Sequence, residues 1–492
     1  MGSAGAMTEV AEGRAAQRLG LWLGPSVAAV FFATADTQAL MPASAWHAAG
    51  AGLWMAIWWA TEALPLAATA LLPLVVFGPL GLAGARDAAA PYAHPTIFLF
   101  LGGFVMALAL ERWNLHRRIA LAVLVRTGTE GRRLIAGFML VSAGLSMWMT
   151  NTSTTMMLLP IVLSVIAVLR EQAEIGEVRL ARFAVAILLA LAFSASIGGL
   201  ATLIGTPPNA LLVAYLADNH DLEISFARWM LVGIPVSLLL LPVAWWLLSV
   251  RLFAVDIPAS TEVRSHLENM RAAQGPMTVP ERRVAALFAL LVTGWMLRRP
   301  LQSWLGLDGL SDTGIAIAAA ILTFVIPSGS STQRTLMRWE DTSRLPWGVL
   351  IMFGGGLSLA AVVDQSGLAL WLGESLASLS GISMTVLLLA AVTMTIFLTE
   401  LTSNMATTAT LLPVMGAIAL QASLPPLLLT VPVTIAASCA FMLPVATAPN
   451  AIVFGTGQIA IRDMVRAGIW LNLLAVVVVW AAGQFAAPAL LG

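Results

Sequence analysis

Hydroxyl side chains at Ser146, Thr150, Thr152, Ser153, Thr154 and Thr155, with the amide of Asn151, form a compact polar block inside an apolar run that closes at Pro160. A similar block returns at Thr399, Thr402, Ser403, Asn404, Thr407, Thr408 and Thr410 ahead of Pro413, and the step from Asn151 to Asn404 equals that from Pro160 to Pro413. These groups are neutral and rich in oxygen, which suits two kinds of chemistry. Backbone N–H groups left free at a helix N-terminus carry partial positive charge and attract anions. Carbonyl ends, hydroxyls and amide oxygens suit a dehydrated hard cation such as Na⁺. One design can therefore hold a carboxylate beside Na⁺ with no ionised side chain at membrane depth, where a fixed Arg is costly. No Arg lies in either block.

The surrounding chain explains why such a block stands out. Of 492 residues, 59% are hydrophobic and only 10% charged, with a mean hydropathy of +0.90. Soluble domains average about 25% charged, so this is the composition of an integral membrane protein. Long runs of Leu, Ala, Val and Ile read as helices, whereas a barrel would alternate in segments of about 10 residues. The net charge is zero and all 25 basic residues are arginine, with neither a nucleic-acid footprint nor an acidic tail. The single Cys439 excludes an internal disulfide and reads as a packing residue. His47, His94, His116, His220 and His266 show no metal-ligand spacing. Without lysine, Gly102-Gly103 and Gly354-Gly355-Gly356 cannot be phosphate loops of the Walker type and read as close helix contacts.

The expected fold is all-α, with about eleven transmembrane helices at 19–35, 47–63, 65–84, 96–113, 182–217, 229–250, 284–297, 313–327, 346–363, 427–459 and 468 to the end. Glu111 to Arg118 reads as an interfacial helix. The first polar block sits in 134–170, flanked by Arg132 and Arg133 on one side and Arg170 and Arg179 on the other. Basic residues favour the cytoplasm, so both ends lie on one side. That makes a re-entrant hairpin with Thr150, Asn151 and Thr152 at its tip. The second hairpin spans 383–421. The helix at 182–217 is interrupted from Ile197 to Asn209, around Pro207-Pro208, and that at 427–459 from Leu443 to Asn450. Proline cannot continue a helix, and broken backbone at membrane depth is tolerated only where it is buried in protein or lines a cavity.

Each half thus holds a Gly-rich helix, a polar hairpin and a Pro-Asn-broken helix, in that order. With the N-terminus cytoplasmic, only Arg86, Arg228, Arg298 and Arg299 fall outside, and the halves are oppositely oriented. Inverted repeats of this kind build many secondary transporters. The expected organisation is a tail at 1–18 (residues 1–6 reading as an appended segment before a start at Met7), a first repeat at 19–250, a cytoplasmic linker at 251–283 and a second repeat at 284–492.

Trp58-Trp59-Ala60-Thr61-Glu62-Ala63-Leu64-Pro65, the tips Thr150-Asn151-Thr152 and Ser403-Asn404-Met405, and the breaks at Pro208-Asn209 and Pro449-Asn450 resemble the divalent anion/Na⁺ symporter (DASS) family. That family includes bacterial dicarboxylate transporters and mammalian citrate and sulfate carriers. The resemblance covers almost the whole chain. It implies a homodimer in which a transport domain moves like an elevator against a scaffold. It also implies one sodium site at Ser146, Thr150, Asn151 and Gly199, and a second at Thr399, Thr402, Asn404 and Ala446. Substrate contacts are implied at Thr150, Asn151, Thr152, Thr206, Ser403, Asn404, Met405 and Thr447. The family's tip is Ser-Asn-Thr. Thr150 keeps the hydroxyl, but Met405 removes one, a loss of about 1.5–3 kcal/mol against a charged acceptor. This predicts asymmetric contacts or a substrate other than a plain C4-dicarboxylate.

The expected function is sodium-coupled symport of a di- or tricarboxylate across the bacterial inner membrane, with Na⁺ as coupling ion and lipid as surroundings. A sodium-independent exchanger or a symporter of sulfate or another inorganic anion is the alternative, and a channel is more remote. A membrane enzyme is disfavoured by the lack of HExxH or GxSxG motifs. Glu62 reads as an interfacial anchor, and Glu111 and Asp364 are intramembrane candidates. Glu400 either ties its hairpin to backbone N–H groups or carries a proton.

Overall fold

The computed structural model describes residues 2–172, 175–331, 333–377 and 383–491. Met1 and Gly492, the ends of the expected tail and second repeat, lie outside them. Every named element among the described residues is a helix, and a single isolated bridge joins Pro327 to Thr335.

Six helices among the described residues are long and apolar enough to cross a membrane: Ala85–Arg112, Asn151–Arg170, Glu177–Gly199, Phe226–Leu252, Trp347–Gln365 and Ile461–Leu491. The bent pair Val279–Met296 and Arg298–Trp304 adds a seventh, and Asp312–Val325, Met384–Thr399 and Leu427–Ala437 are apolar but shorter. The expected spans at 19–35 and 47–63 fall in the paired helices Gly2–Thr34 and Ala43–Thr61.

Two expectations need correction. The span at 65–84 is not one helix but the short pieces Leu66–Thr69 and Leu72–Val76 followed by turns. Pro65, Pro73 and Pro79 each lack a donor, and Gly81 adopts a left-handed φ of 66°. The second break opens earlier than Leu443: helix Leu427–Ala437 stops before Ser438, and the chain is helical again only over Ala448–Phe454. At the expected interfacial helix, Asn114 takes a left-handed φ of 54° and separates Pro95–Arg112 from Leu115–Thr127.

Both polar blocks form helix–turn–helix hairpins, Gly131–Ser146 with Asn151–Arg170 and Met384–Thr399 with Asn404–Gln421. Helix Glu177–Gly199 is buried at every position from Phe183 to Gly199, as a helix that is apolar all round must be. The first hairpin packs on it. The repeats also interlock: Ala448–Phe454, from the second break, packs on Glu177–Gly199 and Asn151–Arg170, while Pro207–His220, from the first break, packs on Asn404–Gln421. The Gly-rich helices make the close contacts expected of them. A Cβ on Gly102 would lie 2.6 Å from the Ala316 backbone, and one on Gly355 would lie 2.3 Å from the Ala70 carbonyl oxygen.

Candidate functional site

Four helices begin at one cavity of about 760 Å³. Their N-caps are Thr150 for Asn151–Arg170, Thr206 for Pro207–His220, Ser403 for Asn404–Gln421 and Thr447 for Ala448–Phe454, and all four line it. The repeat is visible in the backbone. Thr150 and Ser403 share φ/ψ of −62°/144° and −63°/135°, and Thr206 and Thr447 share −140°/137° and −142°/149°. A full helix N-terminus is equivalent to roughly half a positive charge. The fourth helix, of 7 residues, offers free N–H groups rather than a full dipole. The hydroxyls divide diagonally. Thr150 and Thr447 accept from the N–H groups of Ser153 (3.2 Å) and Asn450 (3.3 Å), while Thr206 and Ser403 make no cap bond and stay available to a ligand.

Behind each tip lies an oxygen cluster. One end of the Asn151 amide is 2.5 Å from Ser146 Oγ, 3.1 Å from the Ala195 carbonyl and 3.3 Å from the Gly205 carbonyl. With the amide nitrogen there, it donates into all three. With Oδ1 there, four neutral oxygens converge, the donor set a hard cation takes. Gly199 leaves the room: a Cβ on it would stand 2.6 Å from Asn151 Oδ1 and 3.0 Å from the Gly205 carbonyl. In the second repeat Thr399 Oγ1 lies 2.9 Å from Asn404 Oδ1 and 2.8 Å from the Ala437 carbonyl, with one proton to share between the two acceptors. These residue sets fit Na⁺.

All eight expected substrate residues, Thr150, Asn151, Thr152, Thr206, Ser403, Asn404, Met405 and Thr447, line the cavity, as do Thr402 and Ala446. Ser146 and Thr399 are buried behind it, reached through the two asparagines. Two hydroxyls are engaged elsewhere in this conformation: Thr150 Oγ1 donates to Ser153 Oγ, and Thr402 Oγ1 bonds the Leu398 carbonyl and the Thr407 hydroxyl.

Sequence reasoning missed three contributors, Asn209, Asn450 and Arg344, and read a fourth, Glu62, as an interfacial anchor alone. Asn209 and Asn450, seen only as landmarks, bind the carbonyls of their breaks; their recurrence after Pro-Pro and Ala-Pro was the signal available. Arg344 and Glu62 line the cavity. Glu62 also ends helix Ala43–Thr61 with a left-handed φ of 48°.

The sodium:sulfate symporter transmembrane region family matches residues 24–491. The chain belongs to this family. It is 41% identical over 446 residues to the sodium-dependent dicarboxylate transporter SdcS of Staphylococcus saprophyticus, covering 89% of this chain and 86% of the relative. It is 39% identical over 490 residues to SdcS of Staphylococcus aureus, covering 97% and 92%.

Within this sodium:sulfate symporter family member, the second break is held by a carboxylate. Glu400, 3% exposed, accepts from the N–H groups of Phe441 (2.7 Å), Met442 (2.9 Å) and Leu443 (3.0 Å) and from Asn472 Nδ2 (2.7 Å). Of the two roles open to it, the tie to backbone N–H groups is the one its contacts serve. In the first repeat the Thr202 hydroxyl does the comparable work, donating to the Met147 carbonyl and accepting from the Gly205 N–H (3.0 Å).

Proposed function

We propose that the protein is a sodium-coupled symporter of a small dicarboxylate in the bacterial inner membrane. The carrying observation is that both tips and both breaks line one cavity with four helix N-termini, each tip backed by a neutral oxygen cluster. The N-termini favour an anion, and the clusters favour Na⁺. Because each sodium-type cluster shares its asparagine with a substrate-lining tip, bound Na⁺ would hold Asn151 and Asn404 in place, and the anion would bind after sodium. Relatives named as sodium-dependent dicarboxylate transporters support this choice of substrate.

The hairpins are re-entrant in this reading and cross with a transport domain in an elevator-like movement against the Gly-rich helices, in a homodimer with cytoplasmic N-termini. Gln17, Glu62 and Arg344, all on the expected cytoplasmic side, line the cavity with the tips, which supports an inward-open conformation. Sulfate remains the second reading, favoured by neutral tips that do not distinguish oxyanions by charge.

The test is uptake of labelled succinate into proteoliposomes with Na⁺, K⁺ or choline outside. Symport predicts uptake with Na⁺ only. Equal rates in all three media would overturn it, counterflow without a sodium gradient would identify an exchanger, and sulfate outcompeting succinate would change the substrate.

A further inference from the structure

We infer that Arg344 is an anion-receiving residue at the cytoplasmic mouth of the cavity, and that Glu111 holds its guanidinium until a dicarboxylate arrives. This rests on the inward-open reading above. The cavity lining contains two ionisable side chains among the described residues, Glu62 and Arg344, so Arg344 is the cation on the anion's path there. It ends the short helix Trp339–Arg344, and the following Pro346, Val349 and Met352 line the same cavity as the tips.

Among the described residues its side chain meets one partner, with a guanidinium nitrogen on Glu111 Oε1 in the distant helix Pro95–Arg112. The side chain is 54% exposed and that of Glu111 24%. An ion pair this open to water is weakly held, and arginine has further donors in a planar fork matched to a carboxylate. A dicarboxylate entering the mouth can therefore displace Glu111. The charge also belongs at this position. Arg344 precedes the Gly-rich helix Trp347–Gln365, on the part that the elevator reading keeps still, so the cation never crosses the bilayer and imposes no desolvation at depth. A rim charge raises the local anion concentration and the entry rate rather than the affinity of the deep site. Its effect is confined to one face of the membrane.

The experiment compares the full-length protein in right-side-out and inside-out vesicles, measuring the succinate KM at each face under saturating Na⁺. For Arg344→Gln the cytoplasmic KM is expected to rise about five- to tenfold, and to lose most of its dependence on ionic strength, while the external KM stays put. Glu111→Gln frees the guanidinium, and the cytoplasmic KM is expected to fall about two- to threefold. If the ion pair merely braced the loop, both variants would raise KM together, and that result would overturn the inference. An equal rise at both faces, or no change at either, would overturn it too. Absence of sodium-driven succinate transport by the unmodified protein would instead sink the proposed function.

Discussion

Asn209 and Asn450 close the two breaks with the same bonds: each side-chain nitrogen reaches the carbonyls ten and seven residues earlier, Gly199 (3.3 Å) and Thr202 (2.8 Å) for Asn209, Ala440 (3.3 Å) and Leu443 (3.0 Å) for Asn450. Asn209 also contacts the Leu200 carbonyl (3.3 Å). Both residues are fully buried. Alanine at either position leaves interior carbonyls unpaired, at about 1–3 kcal/mol for each lost donor set. Because Asn209 serves three carbonyls and Asn450 two, Asn209→Ala is expected to lower the melting temperature in detergent more than Asn450→Ala. The reverse order would show that the second break depends more on its asparagine than on Glu400.

Gly199 and Gly205 touch across the first break, where a Cβ on Gly205 would lie 2.5 Å from the Gly199 carbonyl oxygen. Gly199→Ala drives a methyl into the Asn151 amide. The sodium concentration for half-maximal uptake should rise at least about tenfold, with the succinate KM at saturating Na⁺ much less changed. A change confined to the succinate KM would remove Gly199 from the proposed sodium site.

Met405 is 6% exposed and lines the cavity where the first tip has Thr152. Met405→Thr restores a hydroxyl that can donate to a carboxylate, a bond worth at most about 1.5–3 kcal/mol. The succinate KM is expected to fall several-fold. If it rises instead, the methionine is packing against the substrate and selects for a bulkier dicarboxylate.

Glu400→Gln keeps the shape but weakens an acceptor that serves four donors. Expected results are a loss of about 1–3 kcal/mol of stability and a pH profile of uptake with unchanged form. A profile that flattened in the variant would restore the proton-carrying role.

How far the sequence reached depended on the range of the interaction. Pro207-Pro208 and Pro449 announced the breaks because proline acts on its own turn, and the two hairpins were legible because the Thr/Asn blocks recur with constant spacing. Local punctuation also misleads in degree: Pro65, Pro73 and Pro79 all fall within the expected span 65–84, yet together they break it into short pieces and turns. The convergence of Thr150, Thr206, Ser403 and Thr447 follows from interlocked packing of the repeats, which no window of sequence displays. Arg344 was invisible as a cavity residue for the same reason, since its loop reaches Glu111 only through the tertiary fold.

Asp341 provides a pH-dependent test of the same loop, outside the membrane helices. It accepts from the Arg338 N–H (2.8 Å) and pairs with the Arg112 guanidinium. Burial pushes its carboxyl up, but the Arg338 N–H and the Arg112 charge outweigh burial and hold it below its ordinary value of 3.8. A depressed native pKa means that the unfolded chain binds more protons, so this contribution is complete above the ordinary carboxylate range. It is lost as the pH falls through the lowered native value. Asp341→Asn should therefore melt at a lower temperature than the unmodified protein at neutral pH. The gap should stay constant down to about pH 5 and shrink as the medium is acidified below about 4. The two proteins would then be compared by scanning in one detergent across that range. A gap that did not narrow in acid would mean that the amide disturbs the packing of Trp339–Arg344, and that the charge on Asp341 adds nothing to holding Arg112.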